Sequence, residues 1–202
     1  MAQYALPLDT RDATASTRIV VGAANASVIE ALADPSHWPF HVAVLVGPPR
    51  SGKTLLARHF AATACGEAID DAHDVEETTL FHRWNRAQDD GSPLLLCARE
   101  GWRITLPDLA SRLGGSLQLG IGAPDDAMVR DLIEAHAEQR HLALSDAASA
   151  YLVPRIERSF AAIEAVVAAI DRISLERQLP ATMSIWRDAL ESVQGPEQAS
   201  LL

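Results

Sequence analysis

The chain has 202 residues, of which 48% are hydrophobic and 22% charged, an ordinary globular composition that excludes an intrinsically disordered chain. Its 17 Lys and Arg against 27 Asp and Glu leave a net charge of −10, which weighs against broad contact with nucleic acid, because that affinity comes mainly from neutralised phosphates. No apolar run approaches the ~18 residues of a membrane helix, so a soluble protein with no membrane contact is expected.

Residues 3–8 read QYALPL, a hook of Gln3, Tyr4, Leu6, Pro7 and Leu8 with no basic flank and no long apolar core, which is not a secretory signal. The stretch that follows, DTRDATASTR, is small and polar without an apolar period. The hook therefore either tucks back onto the domain or serves another protein, with residues up to 18 as a flexible tether. After a short lead-in at Ile19 to Gly22, a helix is expected from about Asn25 to Ala33, with Asn25 as N-cap. HVAVLV at 41–46 is a continuous valine-rich run, the mark of a strand buried on both faces. Gly47 and Pro48 break it, and a helix follows from about Gly52 to Thr63. GEAIDD gives a brief strand ending in two carboxylates. VEETTLFHRWNRAQ has helical spacing, and PLLLCA is another fully apolar strand. Strands alternating with helices predict a parallel sheet, so residues 19–123 read as an α/β unit.

From Pro124 the character changes. DDAMVRDLIEAHAEQR, SDAASAYLV, SFAAIEAVVAAIDRISLERQ and SIWRDALESV all have helical period. An all-helical unit is expected over residues 124–193, with a loose tail at 194–202. The two cysteines, Cys65 and Cys97, sit in or beside apolar runs without CxxC spacing and read as reduced buried thiols of a cytoplasmic protein. The seven histidines are scattered and have no metal-site company.

The chemistry concentrates at GPPRSGKT, comprising Gly47, Pro48, Pro49, Arg50, Ser51, Gly52, Lys53 and Thr54, with Leu55 next in the helix. This is the G-x-x-x-x-G-K-[ST] pattern, placed directly after a buried strand and opening a helix. Its glycines let backbone N–H groups turn onto phosphate oxygens at a helix N-terminus whose dipole favours an anion. Lys53 supplies a charge to the β- and γ-phosphates, and Thr54 a hydroxyl for Mg²⁺, so ADP or ATP with Mg²⁺ is the expected cofactor. Asp70 would hold Mg²⁺ through water, and Asp71 would orient an attacking water. The bland alternative is an Asp-rich turn beside His73 and Asp74. Arg112, in LPDLASRL, and Arg158, in RIERSF, are each surface arginines when taken alone. Beside a phosphate loop and a helical unit, one suits a phosphate of this chain's own site and the other a neighbour's.

In the order GPPRSGKT, IDD, LFHRWN, PLLLCA, LPDLASRL, PDD, YLVPRIERSF, the chain resembles the AAA+ family in its DnaA-related branch, and within it the Hda-type regulators in their alphaproteobacterial form. The similarity runs from about residue 3 to about residue 190. It implies a P-loop AAA+ parallel sheet followed by a helical lid, an arginine finger at Arg112 presented outward, and a sensor arginine at Arg158. It also implies that Gln3, Leu6, Pro7 and Leu8 bind the DNA-polymerase sliding clamp. The implied activity is negative regulation of replication initiation, with DnaA as partner and ATP hydrolysis by DnaA stimulated in trans. Self-association is compatible with it, and the absence of a helix-turn-helix module argues against sequence-specific DNA binding.

The sequence also departs from the family. Only fifteen residues separate Thr54 from Asp70, so one strand–helix unit is expected to be missing and the Asp70 strand to lie at the sheet edge. The acidic pair is Asp-Asp rather than Asp-Glu. CARE supplies Cys97, Ala98 and Arg99 where the family carries a small polar residue. These departures weigh against hydrolysis by the chain's own site and leave nucleotide binding intact. The alternatives are an ATPase or helicase-loader-like protein with its own turnover, and a degenerate nucleotide-binding scaffold.

Overall fold

The computed structural model describes residues 18–64 and 66–195; Gln3, Leu6, Pro7 and Leu8 of the hook, and Cys65, lie outside the described residues. The apolar runs become strands β1 (Val42–Gly47), β2 (Glu67–Ile69) and β3 (Leu94–Arg99), and a fourth, β4 (Leu117–Gly120), closes the sheet. Helices α1 (Ala26–Ala33), α2 (Lys53–Thr63), α3 (Glu77–Asp90) and α4 (Pro107–Gly115) alternate with them. All strand pairs are parallel, in the order β2-β3-β1-β4. β1 lies central and is buried at nearly every position, as its unbroken valine-rich run requires.

β2 is the short edge strand that the chain length between Thr54 and Asp70 predicts: it pairs with β3 only, from Glu67↔Leu94 to Ile69↔Leu96. Gly66 introduces it where the chain presses on its neighbour; a Cβ there would stand 2.7 Å from the Pro93 carbonyl oxygen, so no larger residue fits without a shift. β4 was not expected. Its signal is the alternation Leu117, Leu119, Ile121, short enough to be masked by the two glycines before it. Asn25 does occupy the N-cap of α1, but its side chain makes no cap bond. It accepts from the Gly22 N–H at 2.9 Å and donates to the Val20 carbonyl at 2.9 Å, pinning the lead-in segment instead.

Strand alternation divides the sheet's two faces. Ala43, Leu45 and Leu95 pack with Leu56 and Phe60 beneath α1 and α2, where Trp38 stacks on Phe60 at 5.1 Å between ring centroids. Val42, Val44 and Leu96 pack with Leu80, Trp84 and Leu109 of α3 and α4 on the other face.

The helical part comprises α5 (Asp126–Gln139), α6 (Asp146–Leu152), α7 (Phe160–Arg177) and α8 (Met183–Gln194). Asp125 caps α5, accepting from the Met128 N–H at 2.8 Å, and Ser159 caps α7. Ile133, Leu152, Val166, Ile170, Ile185 and Trp186 form its own core. Met128 and Phe160 instead join the α1–α2 side of the sheet core, so the first turns of α5 and α7 are anchored on the sheet. Ile170 is fully buried; Ile170→Ala should lower unfolding free energy by about 2–5 kcal/mol in urea denaturation through the cavity it leaves. Among the described residues no helix is long and apolar enough to cross a membrane.

Candidate functional site

The loop that follows β1 carries the features an anion needs. Gly52 caps α2 with φ +88°, a left-handed conformation natural to glycine, and no side chain occupies the cap. The first N–H groups of α2 are therefore available to a ligand. Arg50 also holds a positive φ of 64°. Lys53 bends back over the loop and donates to the Gly47 carbonyl at 2.8 Å and the Pro48 carbonyl at 2.9 Å. Its ammonium is thus held at the loop mouth by neutral acceptors, which an anionic phosphate outcompetes. Ser51 Oγ is buried and, among the described residues, has no hydrogen-bond partner, an orphaned polar atom inside the cradle. Pro49 is exposed at the turn, and Thr54 is exposed in the first turn of α2.

Beside this loop lies a cleft walled by Ile19, Val20, Leu55, Met128, His136 and Phe160. Its walls come from the pinned lead-in, the start of α2 and the lid, and they are mostly apolar, as suits a flat heterocyclic base. The space it holds is about 100 Å³, below the roughly 300–1,000 Å³ of small-molecule sites. Burial pushes the His136 imidazole below its usual value against the opposing pull of Glu164. Arg50 of the loop reaches Glu164 of α7 at 3.4 Å, and Arg140 after α5 reaches the same carboxylate at 3.9 Å. Arg50 thus links loop to lid.

Asp70 and Asp71 follow β2. Asp70 is half-buried and accepts the Asp71 N–H at 3.1 Å, while Asp71 is exposed with φ +48°. Both carboxylates, and Lys53, lie within electrostatic range of Cys97: burial first, then Asp70, pushes that thiol up to about 12, with Lys53 opposing. The acidic pair and the phosphate loop therefore share one end of the sheet. Among the described residues there is no group of three or more His, Cys, Asp or Glu that could cage a metal. A Mg²⁺ held by Thr54 and Asp70 would depend on phosphate oxygens for the rest of its shell, as that ion commonly does.

The two arginines singled out in the sequence are placed differently from expectation. Arg158 pairs with Asp126 at the start of α5 and does not line the cleft. Arg112 does not project outward. Its guanidinium lies between Phe81 and Trp84 of α3, at 4.7 Å and 4.5 Å from the ring centroids, and donates to Asn85 Oδ1 at 2.9 Å. The reason is local: α4 is tied to α3 by Glu77, which accepts from the Thr105 N–H at 2.8 Å, the Thr105 hydroxyl at 2.9 Å and the Leu106 N–H at 2.6 Å. Those bonds hold the Glu77 carboxyl below its usual range. With α4 so docked, its last turn faces the aromatic side of α3. LFHRWN contains both rings and Asn85, but nothing in a single helix's sequence says which distant arginine it receives.

Residues 126–190 match the family model described as Hda, lid domain. The fold resembles domain III of the Thermotoga maritima replication initiation protein DnaA, with 15% identity, a TM-score of 0.73, and coverage of 88% of this chain and 95% of that one. AMPPCP-bound DnaA from Aquifex aeolicus is similar at 18% identity and a TM-score of 0.59, over 79% of this chain and 66% of that one. The Thermotoga maritima RuvB Holliday junction branch migration motor is similar at 17% identity and a TM-score of 0.54, over 77% of this chain and 64% of that one. Comparison with curated protein sequences returns no match.

Proposed function

We propose that the chain is a DnaA-related AAA+ regulator, a reading supported by its match to the Hda lid model over residues 126–190 and by its likeness in fold to DnaA domain III, and that it binds ADP or ATP and regulates replication initiation by acting on DnaA. The observation that carries this reading is the union of an intact phosphate loop, with its orphaned Ser51 hydroxyl and loosely engaged Lys53, and a lid matching the Hda lid family. Gly47–Thr54 would hold the phosphates, and the Ile19, Val20, Met128 and Phe160 walls the base. Bound nucleotide supplies the negative charge that Lys53 and the α2 N-terminus neutralise.

In this proposal Arg112 acts in trans, beside the nucleotide of DnaA. A permanently charged, forked guanidinium suits that task. It must first leave Phe81, Trp84 and Asn85, exchanging two cation–π contacts of roughly 0.5–1 kcal/mol each for a charged phosphate. The sliding clamp is the proposed tether. Gln3, Leu6, Pro7 and Leu8 form an extended segment of apolar side chains led by a hydrogen-bonding glutamine, suited to a hydrophobic pocket. Replacing Leu6 and Leu8 by Ala should abolish capture of the chain by immobilised clamp, and undiminished capture would reject this role.

One observation favours a second reading, an ATPase in its own right: Asp70, Asp71 and Lys53 share the same end of the sheet. That reading requires ATP turnover by the purified chain alone, lost in Asp70→Asn. The regulatory reading requires turnover to appear only with DnaA present. Measuring ATP hydrolysis by the chain, by DnaA, and by both with clamp loaded on DNA separates them.

A further inference from the structure

We infer that Phe40 is a contact residue of the surface through which Arg112 reaches its partner, its exposed ring seating in an apolar recess that the partner carries beside its bound nucleotide. The inference rests on the proposed action of Arg112 on DnaA and extends it to a residue on a different segment of the chain.

Phe40 stands where its residue type is least at home. It and His41 form the centre of a turn that the Val42 N–H closes onto the Pro39 carbonyl, and both carry positive φ, 56° and 54°. Turns with two such residues favour Asn and Gly, and a bulky side chain in the left-handed region is an outlier. Strain of this sort persists only where the surroundings impose it. Here the Gln88 side-chain amide donates to the Phe40 carbonyl, and Trp84 meets the ring at 5.8 Å between centroids. Gly115 leaves the ring room, since a Cβ there would stand 3.1 Å from Phe40 Cε2. Yet the residue so held remains 53% exposed. These contacts fix the ring without burying it, so core packing in this chain does not account for the strained backbone.

The ring's position relative to Arg112 supplies the partner. Phe81, Trp84, Asn85 and Gln88 recur at helical spacing along one side of α3. The first three hold the Arg112 guanidinium, while Trp84 and Gln88 hold Phe40. The last turn of α4 repeats the arrangement, with Arg112 three positions before the Gly115 that faces Phe40. A cation and an aromatic ring therefore lie side by side, with Trp84 packed against both. Protein interfaces are enriched in arginine and aromatic residues, and a few such anchors seated in recesses of the partner carry most of the binding energy. The surface complementary to this pair has an anion opposite Arg112 and an apolar recess opposite Phe40. A protein whose nucleotide phosphate meets Arg112 supplies the first, and Phe40 assigns it the second.

The test is the rate of ATP hydrolysis by DnaA on clamp-loaded DNA, measured against increasing concentration of the full chain. Phe40→Gly removes the ring at a backbone conformation natural to glycine, and Phe40→Asn does so with the other residue that tolerates it. Each should raise the half-saturating concentration by about 10-fold or more, the size of a lost interface anchor, and change the maximal rate by less than about twofold. Arg112→Ala should do the reverse and lower the maximal rate. Phe40→Leu, which keeps an apolar side chain, should fall between Phe40→Gly and the wild type. The Gly and Asn variants should melt close to the wild type, because relief of the strained backbone offsets the lost contact with Trp84, which separates an interface contact from a folding defect. An unchanged half-saturating concentration, or a fall in maximal rate alone, overturns the inference while leaving the role of Arg112 standing. Self-association of the chain alone that Phe40→Gly abolishes gives the ring to a second copy and overturns it as well. A wild-type chain that accelerates DnaA at no concentration overturns the underlying reading and the inference with it.

Discussion

Arg112→Ala is expected to abolish stimulation of ATP hydrolysis by DnaA, a loss within the range of roughly 10³–10⁵ that an arginine supplied in trans contributes. Nucleotide binding by the variant should be unchanged, because Arg112 sits against α3 and does not line the nucleotide cleft. The same substitution also removes the packing between Phe81 and Trp84 and the bond to Asn85, so its effect on stability has to be measured beside its effect on activity. Two exposed-type cation–π contacts put that loss at about 1–2 kcal/mol, far too little to unfold a domain of this size at working temperature. Arg112→Lys sharpens the distinction. It keeps charge and some of the packing but lacks the planar fork, so it should remain nearly as stable as wild type and still stimulate poorly. Full stimulation by Arg112→Ala would reject the role in trans and leave Arg112 as the clip between α3 and α4.

Lys53→Ala is expected to weaken ADP and ATP binding by roughly 10–100-fold, the value of charge-assisted hydrogen bonds to phosphate. Among the described residues the Lys53 ammonium hydrogen-bonds to the Gly47 and Pro48 carbonyls, both within its own loop, so the ligand-free variant should melt close to wild type. The difference should appear on adding nucleotide: ligand at 100 times its dissociation constant stabilises the wild type by about 2.7 kcal/mol, and the variant should lose most of that shift. Equal nucleotide-induced shifts in the two proteins would remove Lys53 from the site.

Much of the architecture is legible in the residues because local and global signals agree. HVAVLV reads as a buried strand, and β1 takes it up one residue later, at Val42–Gly47; GPPRSGKT turns where its glycines and the following helix allow it, and the later helices carry apolar stripes. Even the narrowing of the sheet follows from counting: fifteen residues between Thr54 and Asp70 hold α2 and little more than the three residues of β2. β4 escaped because four residues give too short a window for alternation to stand out. The side-chain partners of the arginines were hidden for a different reason. Arg112 meets Phe81, Trp84 and Asn85 across 27 or more positions of sequence, and the pairing depends on how Glu77 docks the start of α4. Arg158 finds Asp126 over a comparable separation. A motif names the residue type that suits a phosphate, while tertiary packing decides what that residue touches when the phosphate is absent. The same holds for Arg50, a loop position with no assigned partner in the motif, which reaches Glu164 on the lid.

The reading as a whole is tested most directly by the rate of ATP hydrolysis by DnaA on clamp-loaded DNA, with and without this chain. A severalfold or greater acceleration that needs both the wild-type chain and its Arg112, while the chain alone releases no phosphate, is the expected result. An unchanged DnaA rate at saturating chain and clamp would contradict it.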